Sequence, residues 1–384
     1  MSRDQAETWP PGGGPRLLVA DGWYANAGDG AIVLAMARSI RRVLPSARML
    51  FCAPHRNLVE RHYPELAMTA PLHELAASQS PLLSDADAVV SKGGGHLFEH
   101  YPVGRRLAAY RTVRAAGTPM AFWSQSVGWF ADLELRAQLT DALEGAAMFV
   151  AREPESIDNL RGMGIDARVR LAADEALMLP LQAPARPGET VGVALNALGT
   201  ARSGEPFESG SRGAADAHAE IVERLVAGGH KVRAASSVQG FGHLSDEIED
   251  DGPHHRAVAE RLSAVATDSF HVVEGFLAPE RLRTELRGLD VVVSSRMHVA
   301  LLAMLEDVPA VYVSGNFKGT SIYRRLGLER LVVPDADPER VIEAVAEARA
   351  VRSSIATRLG RLRREARPVA HALLQALGLV RGPA

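Results

Sequence analysis

Residues 289–318 read LDVVVSSRMHVALLAMLEDVPAVYVSGNFK. Residues 291–293 are a short β-branched run, residues 299–305 are apolar at every position, and residues 310–313 are a second short run. Such a series describes a buried strand, a crossover helix and a second, parallel strand. Arg296, His298 and Lys318 then all fall just beyond strand carboxyl ends, the edge at which open α/β sheets bind ligands. Arginine offers a rigid fork of donors, lysine a compact charge and imidazole a proton carrier near neutral pH. The three together suit a small anionic substrate with proton chemistry attached.

The same alternation runs outward from this stretch. RLLVA at residues 16–20, MLFCAP, DADAVVS, PMAFWSQ and AMFVARE are strand-like runs with helical stretches between them. In residues 30–43 Ile32, Met36, Ile40 and Val43 recur at helical spacing. Strands alternating with helices imply a parallel sheet covered on both faces. Proline and glycine crowd residues 179–190, and a second alternating series follows with TVGVALN, HKVRAASS and FHVVEG. The expected organisation is a disordered lead-in over 1–15, a Rossmann-like domain over 16–180, a linker over 181–190, a second Rossmann-like domain over 191–350 and terminal helices over 351–384. Residues 201–213, rich in glycine, serine and charge, read as a mobile loop. The fold class is α/β, with two Rossmann-like domains facing across a cleft in the general GT-B layout.

Bulk properties narrow the function classes. With 47% hydrophobic and 23% charged residues and a formal net charge of −3, the chain carries neither the basic surface of a nucleic-acid binder nor an acidic tail. Its single cysteine, Cys52, excludes an intrachain disulfide and a cysteine-rich zinc site. Glu306 and Asp307 interrupt the longest apolar run, so no membrane span is expected. The first residues have no apolar core of signal-peptide length, and cytoplasmic residence is the resulting expectation.

Four further motifs follow strand-like runs. In Asn26-Ala27-Gly28-Asp29-Gly30, small residues before a helix start expose backbone N–H groups to a ligand, or the Asn and Asp simply cap the helix. Gly93-Gly94-Gly95-His96 marks a sharp bend or a close approach to a ligand. His96 and His100 have no accompanying carboxylate or cysteine set, so no metal is expected. Ser124-Gln125-Ser126 supplies polar groups to the same edge, or caps a turn. Arg152, at the end of another run, reaches toward a ligand or pairs with Glu155 at the surface, and Arg296 has Asp290 as a nearby carboxylate.

Taken together these positions resemble the polysaccharide pyruvyl transferase family. The resemblance rests on Asn26, Gly28 and Asp29, on Gly93 to Gly95, on Arg152, Glu153 and Ser156, on Asp174, and on Arg296 and His298 followed 20 positions later by Lys318. It implies transfer of the pyruvyl group of phosphoenolpyruvate to hydroxyls of a sugar, glycan or related acceptor, with release of phosphate and no metal or redox cofactor. It implies His298 and Lys318 as catalytic residues, and Arg152, Arg296 and Lys318 as the phosphoenolpyruvate contacts. On the acceptor side it suggests Asn26, Asp29, Gly94, Gly95, His96 and Gln125. Residues 199–213 match nothing in the family pattern. The alternatives are a GT-B-type glycosyltransferase using a nucleotide sugar, a catalytically silent sugar-binding relative, and a family member acting on a small natural-product precursor. A homo-oligomer is compatible with each.

Overall fold

The computed structural model describes residues 8–165, 169–183, 185–196, 212–240 and 250–382. Two compact units emerge, one of Met1–Tyr24, Ile32–Met178 and Arg364–Ala384, the other of Ala25–Ala31 and Leu179–Arg363. Among the described residues no helix is long and apolar enough to cross a membrane.

The first unit is built on β1 (Arg16–Ala20), β2 (Arg48–Cys52), β3 (Met68–Thr69), β4 (Ala88–Ser91), β5 (Gly94–Leu97), β6 (Met120–Val127), β7 (Met148–Ala151) and β8 (Val169–Leu171). They pair in parallel in the order β3-β2-β1-β4-β6-β7-β8, with β5 also on β6. The strands β4, β6 and β7 are buried at every position, so β4, β7 and the first half of β6 read as apolar runs rather than alternating ones. Helices supply the covering faces, and Leu18, Val89, Leu107, Phe122, Leu139 and Phe149 belong to one continuous core. Cys52 is a buried free thiol within it.

The second unit carries β9 (Thr190–Ala194), β10 (Lys231–Ala234), β11 (Phe270–Val272), β12 (Val292–Ser294), β13 (Ala310–Val313) and β14 (Val332–Val333). All pairs are parallel, in the order β11-β10-β9-β12-β13-β14. The chain builds outward from β9 on one side, then restarts at β12 on the other. The switch point between β9 and β12 is where such sheets open for a ligand. The helix Met297–Leu305 between β12 and β13 is buried along all but one of its positions, His298, so its uniformly apolar sequence has no solvent-facing stripe to betray.

Several sequence expectations need correction. The short strands β3, β5, β8 and β14 were not expected, because two to four residues at a sheet margin carry almost no periodicity. The glycine run is not simply a bend: Gly94 and Gly95 open β5, with Gly94 at φ 130°. Gly93 is the position where space decides the residue, since a Cβ there would lie 3.0 Å from the Trp123 carbonyl oxygen. The stretch Ala25–Ala31 belongs to the second unit. Its backbone is tied there by the Ala27 amide on the Ser237 carbonyl (2.8 Å) and the Gln239 amide on the Ala25 carbonyl (3.1 Å). Conversely, Arg364–Ala384 joins the first unit, where the helix Val369–Ala376 packs on β6 and β7. Within the expected disordered lead-in, Trp9 packs on the first unit's core. Residues 1–7 and 199–211 lie outside the described residues, and Arg212 opens the helix Arg212–Ala227.

A carboxyl is buried inside the first unit. Glu175 accepts from Ser39 Oγ at 2.6 Å and from Trp123 Nε1 at 3.0 Å. Burial raises its pKa to about 8, against the opposing hydrogen bonds from Ser39 and Trp123. The unfolded chain ionises this group near 4.5 while the folded protein keeps the proton until about 8, so its contribution is full below about pH 4.5 and is lost as pH rises to 8. Glu175→Gln is therefore expected to flatten the decline in melting temperature between pH 5 and pH 8; parallel declines for both proteins would refute it.

Candidate functional site

The carboxyl ends of β9, β12 and β13 share one edge of the second sheet because the strands are parallel. Beyond β12 the chain turns at Ser294, whose Oγ accepts from the Arg296 amide at 3.0 Å and donates to the Arg296 carbonyl at 2.9 Å. Ser295 Oγ donates to Asn196 Oδ1 at 2.6 Å, tying the turn to the segment after β9. Arg296 stands at the N-cap of the helix Met297–Leu305, and half-buried His298 lies in its first turn. Lys318 occupies the equivalent place in the helix Phe317–Leu326 after β13, its amide capped by Asn316 Oδ1 at 3.0 Å. Two successive helix N-termini thus bring their amide dipoles and the residues Arg296, His298 and Lys318 to one edge, a setting that favours anions.

Arg296 does not pair with Asp290, which is held instead by Arg349 (2.7 Å) and Arg352 (3.8 Å). Its partner is the buried Asp251, whose Oδ1 accepts from Arg296 Nη2 at 2.6 Å and Nε at 3.2 Å. Asp251 Oδ2 accepts the amides of Ser237 and Val238 at 2.9 and 3.0 Å. No sequence signal singled out Asp251, because it lies 45 residues before its arginine.

The Asn26 to Gly30 loop meets this group within the same unit. Asn26 pairs with Val238 as an isolated antiparallel bridge, and its Oδ1 caps the Gly28 amide at 2.8 Å. Asp29 lies in the first turn of the helix Ala27–Val43. Gly28 faces His298 so closely that a Cβ would lie 2.3 Å from Nδ1 and 2.5 Å from the histidine Cβ. The capping reading of the loop is therefore realised by Asn26, and Gly28 admits the imidazole.

Three further histidines surround the arginine's support. His218 Nδ1 and His254 Nε2 are 2.7 Å apart, and His255 Nδ1 is 3.3 Å from Ser236 Oγ. Burial first, and the neighbouring histidines second, lower His218 to about 3 and His254 to about 4, and burial also lowers His255. All three are neutral at physiological pH.

The first unit has its own polar cluster at the carboxyl ends of β1, β4 and β6. Asp21, with a left-handed φ of 66°, accepts from Ser91 Oγ (2.7 Å), Tyr110 Oη (2.6 Å) and Arg106 Nε (2.8 Å). Burial alone would raise its carboxyl, but the Arg106 guanidinium and the hydroxyls of Tyr110 and Ser91 outweigh it and hold it below the usual carboxylate range. His96 Nε2 lies 3.3 Å from Ser91 Oγ, and burial lowers its pKa well below the usual range. Gln125 Nε2 donates to the Lys92 carbonyl at 2.6 Å. The β6 register shifts between Phe122 and Gln125, next to Ser124 at φ 44°, an irregularity of the kind that re-aims a side chain. Buried His96 Nδ1 and Gln125 Oε1 have no partner among the described residues. Sequence reading missed Asp21, Arg106 and Tyr110; an aspartate directly after β1 was the available signal for the first.

Arg152 is buried in this same unit rather than paired at the surface with Glu155. Its guanidinium donates to Ser126 Oγ (2.7 Å), Glu153 (3.2 Å) and Asp174 Oδ2 (2.6 Å), and Ser156 Oγ donates to Glu153. The residues Arg152, Glu153, Ser156 and Asp174 thus form one network.

Comparison with known proteins bears on the fold and the family. The structure superposes on UDP-GlcNAc 2-epimerase from Neisseria meningitidis with a TM-score of 0.61 at 12% identity, covering 94% of this chain and 99% of that one. A putative UDP-N-acetylglucosamine 2-epimerase from Listeria monocytogenes gives 0.60 at 12% identity, over 95% and 96% of the two chains. The enzyme from Methanocaldococcus jannaschii gives 0.58 at 10%, over 87% and 92%. These likenesses place the fold in the GT-B-like class of α/β proteins with two Rossmann-like domains. The pattern of the polysaccharide pyruvyl transferase family matches residues 26–316, and the chain belongs to that family of transferases.

Gly28→Ala is expected to cost roughly 1–3 kcal/mol through overpacking against the imidazole. Thermal melts should show a smaller cost in an His298→Ala background, where the ring is gone; equal costs in the two backgrounds would rule out this contact as the reason for the glycine.

Proposed function

We propose that this transferase moves the pyruvyl group of phosphoenolpyruvate onto hydroxyls of a sugar or glycan. The observation that carries the reading is the meeting, within one unit, of two motifs far apart in sequence: the Asn26 loop packs Gly28 on His298, in the helix that Arg296 caps. Phosphoenolpyruvate carries a carboxylate and a phosphate, and the same edge carries Arg296, Lys318 and two helix N-termini. Arg296 binds an oxyanion through its planar fork, and Lys318 offsets charge on the departing phosphate.

In the proposed reaction His298 delivers a proton to the methylene carbon, which becomes a methyl group. The adjacent carbon turns electrophilic and an acceptor hydroxyl adds to it, losing its proton. A second hydroxyl of the same acceptor then displaces phosphate at that carbon, its proton leaving with the phosphate, and closes a ketal, so one phosphoenolpyruvate and one diol give one ketal and one phosphate. The first unit, taken by itself, is assigned a sugar-hydroxyl-binding role through His96 and Gln125. Neutral His96 and the amide oxygen of Gln125 are acceptors that suit sugar hydroxyl donors. Arg152, held by Ser126, Glu153 and Asp174, takes a supporting place in that unit rather than a donor contact.

Purified protein is expected to consume phosphoenolpyruvate and release phosphate with a panel of glycan acceptors. His298→Ala and Lys318→Ala should each lower turnover by at least about 100-fold, the scale of lost proton transfer or charge stabilisation. Undiminished turnover in both variants, or calorimetric binding of a nucleotide sugar without any of phosphoenolpyruvate, would sink the assignment.

A further inference from the structure

We infer that Asp251 is a positioning residue of the anion site, acting on Arg296 directly and on the Asn26 loop through the turn after β10. The inference rests on the proposed role of Arg296 for its functional consequence, but its geometry stands alone. Asp251 is buried, at 2% exposure, and each of its carboxylate oxygens has a different task. Oδ1 takes both the Nε and Nη2 hydrogens of Arg296, at 3.2 and 2.6 Å. Oδ2 takes two consecutive backbone amides, Ser237 and Val238. The Asp251 amide in turn donates to the Val238 carbonyl at 3.0 Å.

The turn held in this way is the one on which the Asn26 loop docks. The Ser237 carbonyl accepts the Ala27 amide, Val238 forms the bridge with Asn26, and Ser237 Oγ reaches Asn26 Oδ1 at 3.4 Å. One residue further, Gly28 lies against His298. A single carboxylate therefore joins the guanidinium to the backbone that fixes the neighbourhood of the imidazole. A free arginine side chain loses rotamer entropy when it grips an anion; an arginine already pinned along one edge has met that cost in advance. Its pinning carboxylate also acts at a site that binds negative charge, so the arrangement trades some attraction for geometry.

Asp251→Asn separates the two tasks. The amide oxygen can still serve the Ser237 and Val238 amides, but the carboxylate charge that Asp251 offers Arg296 is gone. Loss of a charge-assisted hydrogen bond of this kind is expected to weaken phosphoenolpyruvate binding by about tenfold or more, read as a rise in KM and in the calorimetric Kd, with kcat reduced less. In an Arg296→Ala background the same substitution should change phosphoenolpyruvate affinity less than twofold, because the group it acts through is absent. An equal loss in both backgrounds would show a merely structural role and overturn the inference, as would wild-type affinity in Asp251→Asn.

A second measurement does not depend on the substrate. The Arg296 Nε–H resonance in a nitrogen-15 spectrum, assigned by its loss in Arg296→Lys, should exchange slowly with solvent in the wild-type protein and at least about tenfold faster in Asp251→Asn. Unchanged exchange would overturn the positioning role even if phosphoenolpyruvate binds. Absence of phosphoenolpyruvate binding by the wild-type protein, with faster exchange in the variant, would instead overturn the proposed substrate and leave the positioning role supported.

Discussion

Parallel pairing of β12 with both β9 and β13 is the constraint from which the second unit's chemistry follows. A parallel ladder forces each connection to cross back over the sheet as a helix, so every strand releases its chain at the same edge. That edge collects Asn196 after β9, Arg296 and His298 after β12 and Lys318 after β13. The crossover helices begin there too, and the positive ends of their dipoles add to the field. The cationic character of the edge is thus a property of the architecture, reinforced by side chains.

Within that frame the arginine needs a counterpart. An arginine side chain only 18% exposed and without a carboxylate would carry a desolvation cost; the Asp251 contact offsets it while fixing the plane of the guanidinium. The histidines nearby add no competing charge, since burial holds His218, His254 and His255 in their neutral forms. In the first unit the balance is reached differently. Asp21, Arg106, Tyr110 and Ser91 satisfy one another, and the acceptors left over on His96 and Gln125 are neutral. One unit therefore presents cations at its strand ends and the other presents mostly neutral hydrogen-bonding groups.

Asp21 and Ser124 hold left-handed backbone, a conformation that costs energy; Asp21 lies in the first unit's polar cluster, held by its hydrogen bonds to Ser91, Tyr110 and Arg106, and Ser124 lies beside it. Gly28 and Gly93 are required by contact rather than by φ: one faces an imidazole and the other a strand backbone. This distinction was invisible in the sequence, where both appear simply as glycines in loops.

The sequence by itself determined the α/β class, the alternation of strands and helices, and the placement of Arg296, His298 and Lys318 beyond strand ends. Those features depend on local periodicity and on the parallel rule, both of which act over a few dozen residues. Tertiary structure alone decided which distant residues come together. Asp251 replaced Asp290 as the partner of Arg296. The Asn26 loop joined the second unit through backbone hydrogen bonds, and Arg152 turned inward to Asp174 rather than outward to Glu155. In each case a polar group removed from water, charged side chain or backbone amide, takes the partner the fold brings within reach, and sequence separation has no influence on that distance.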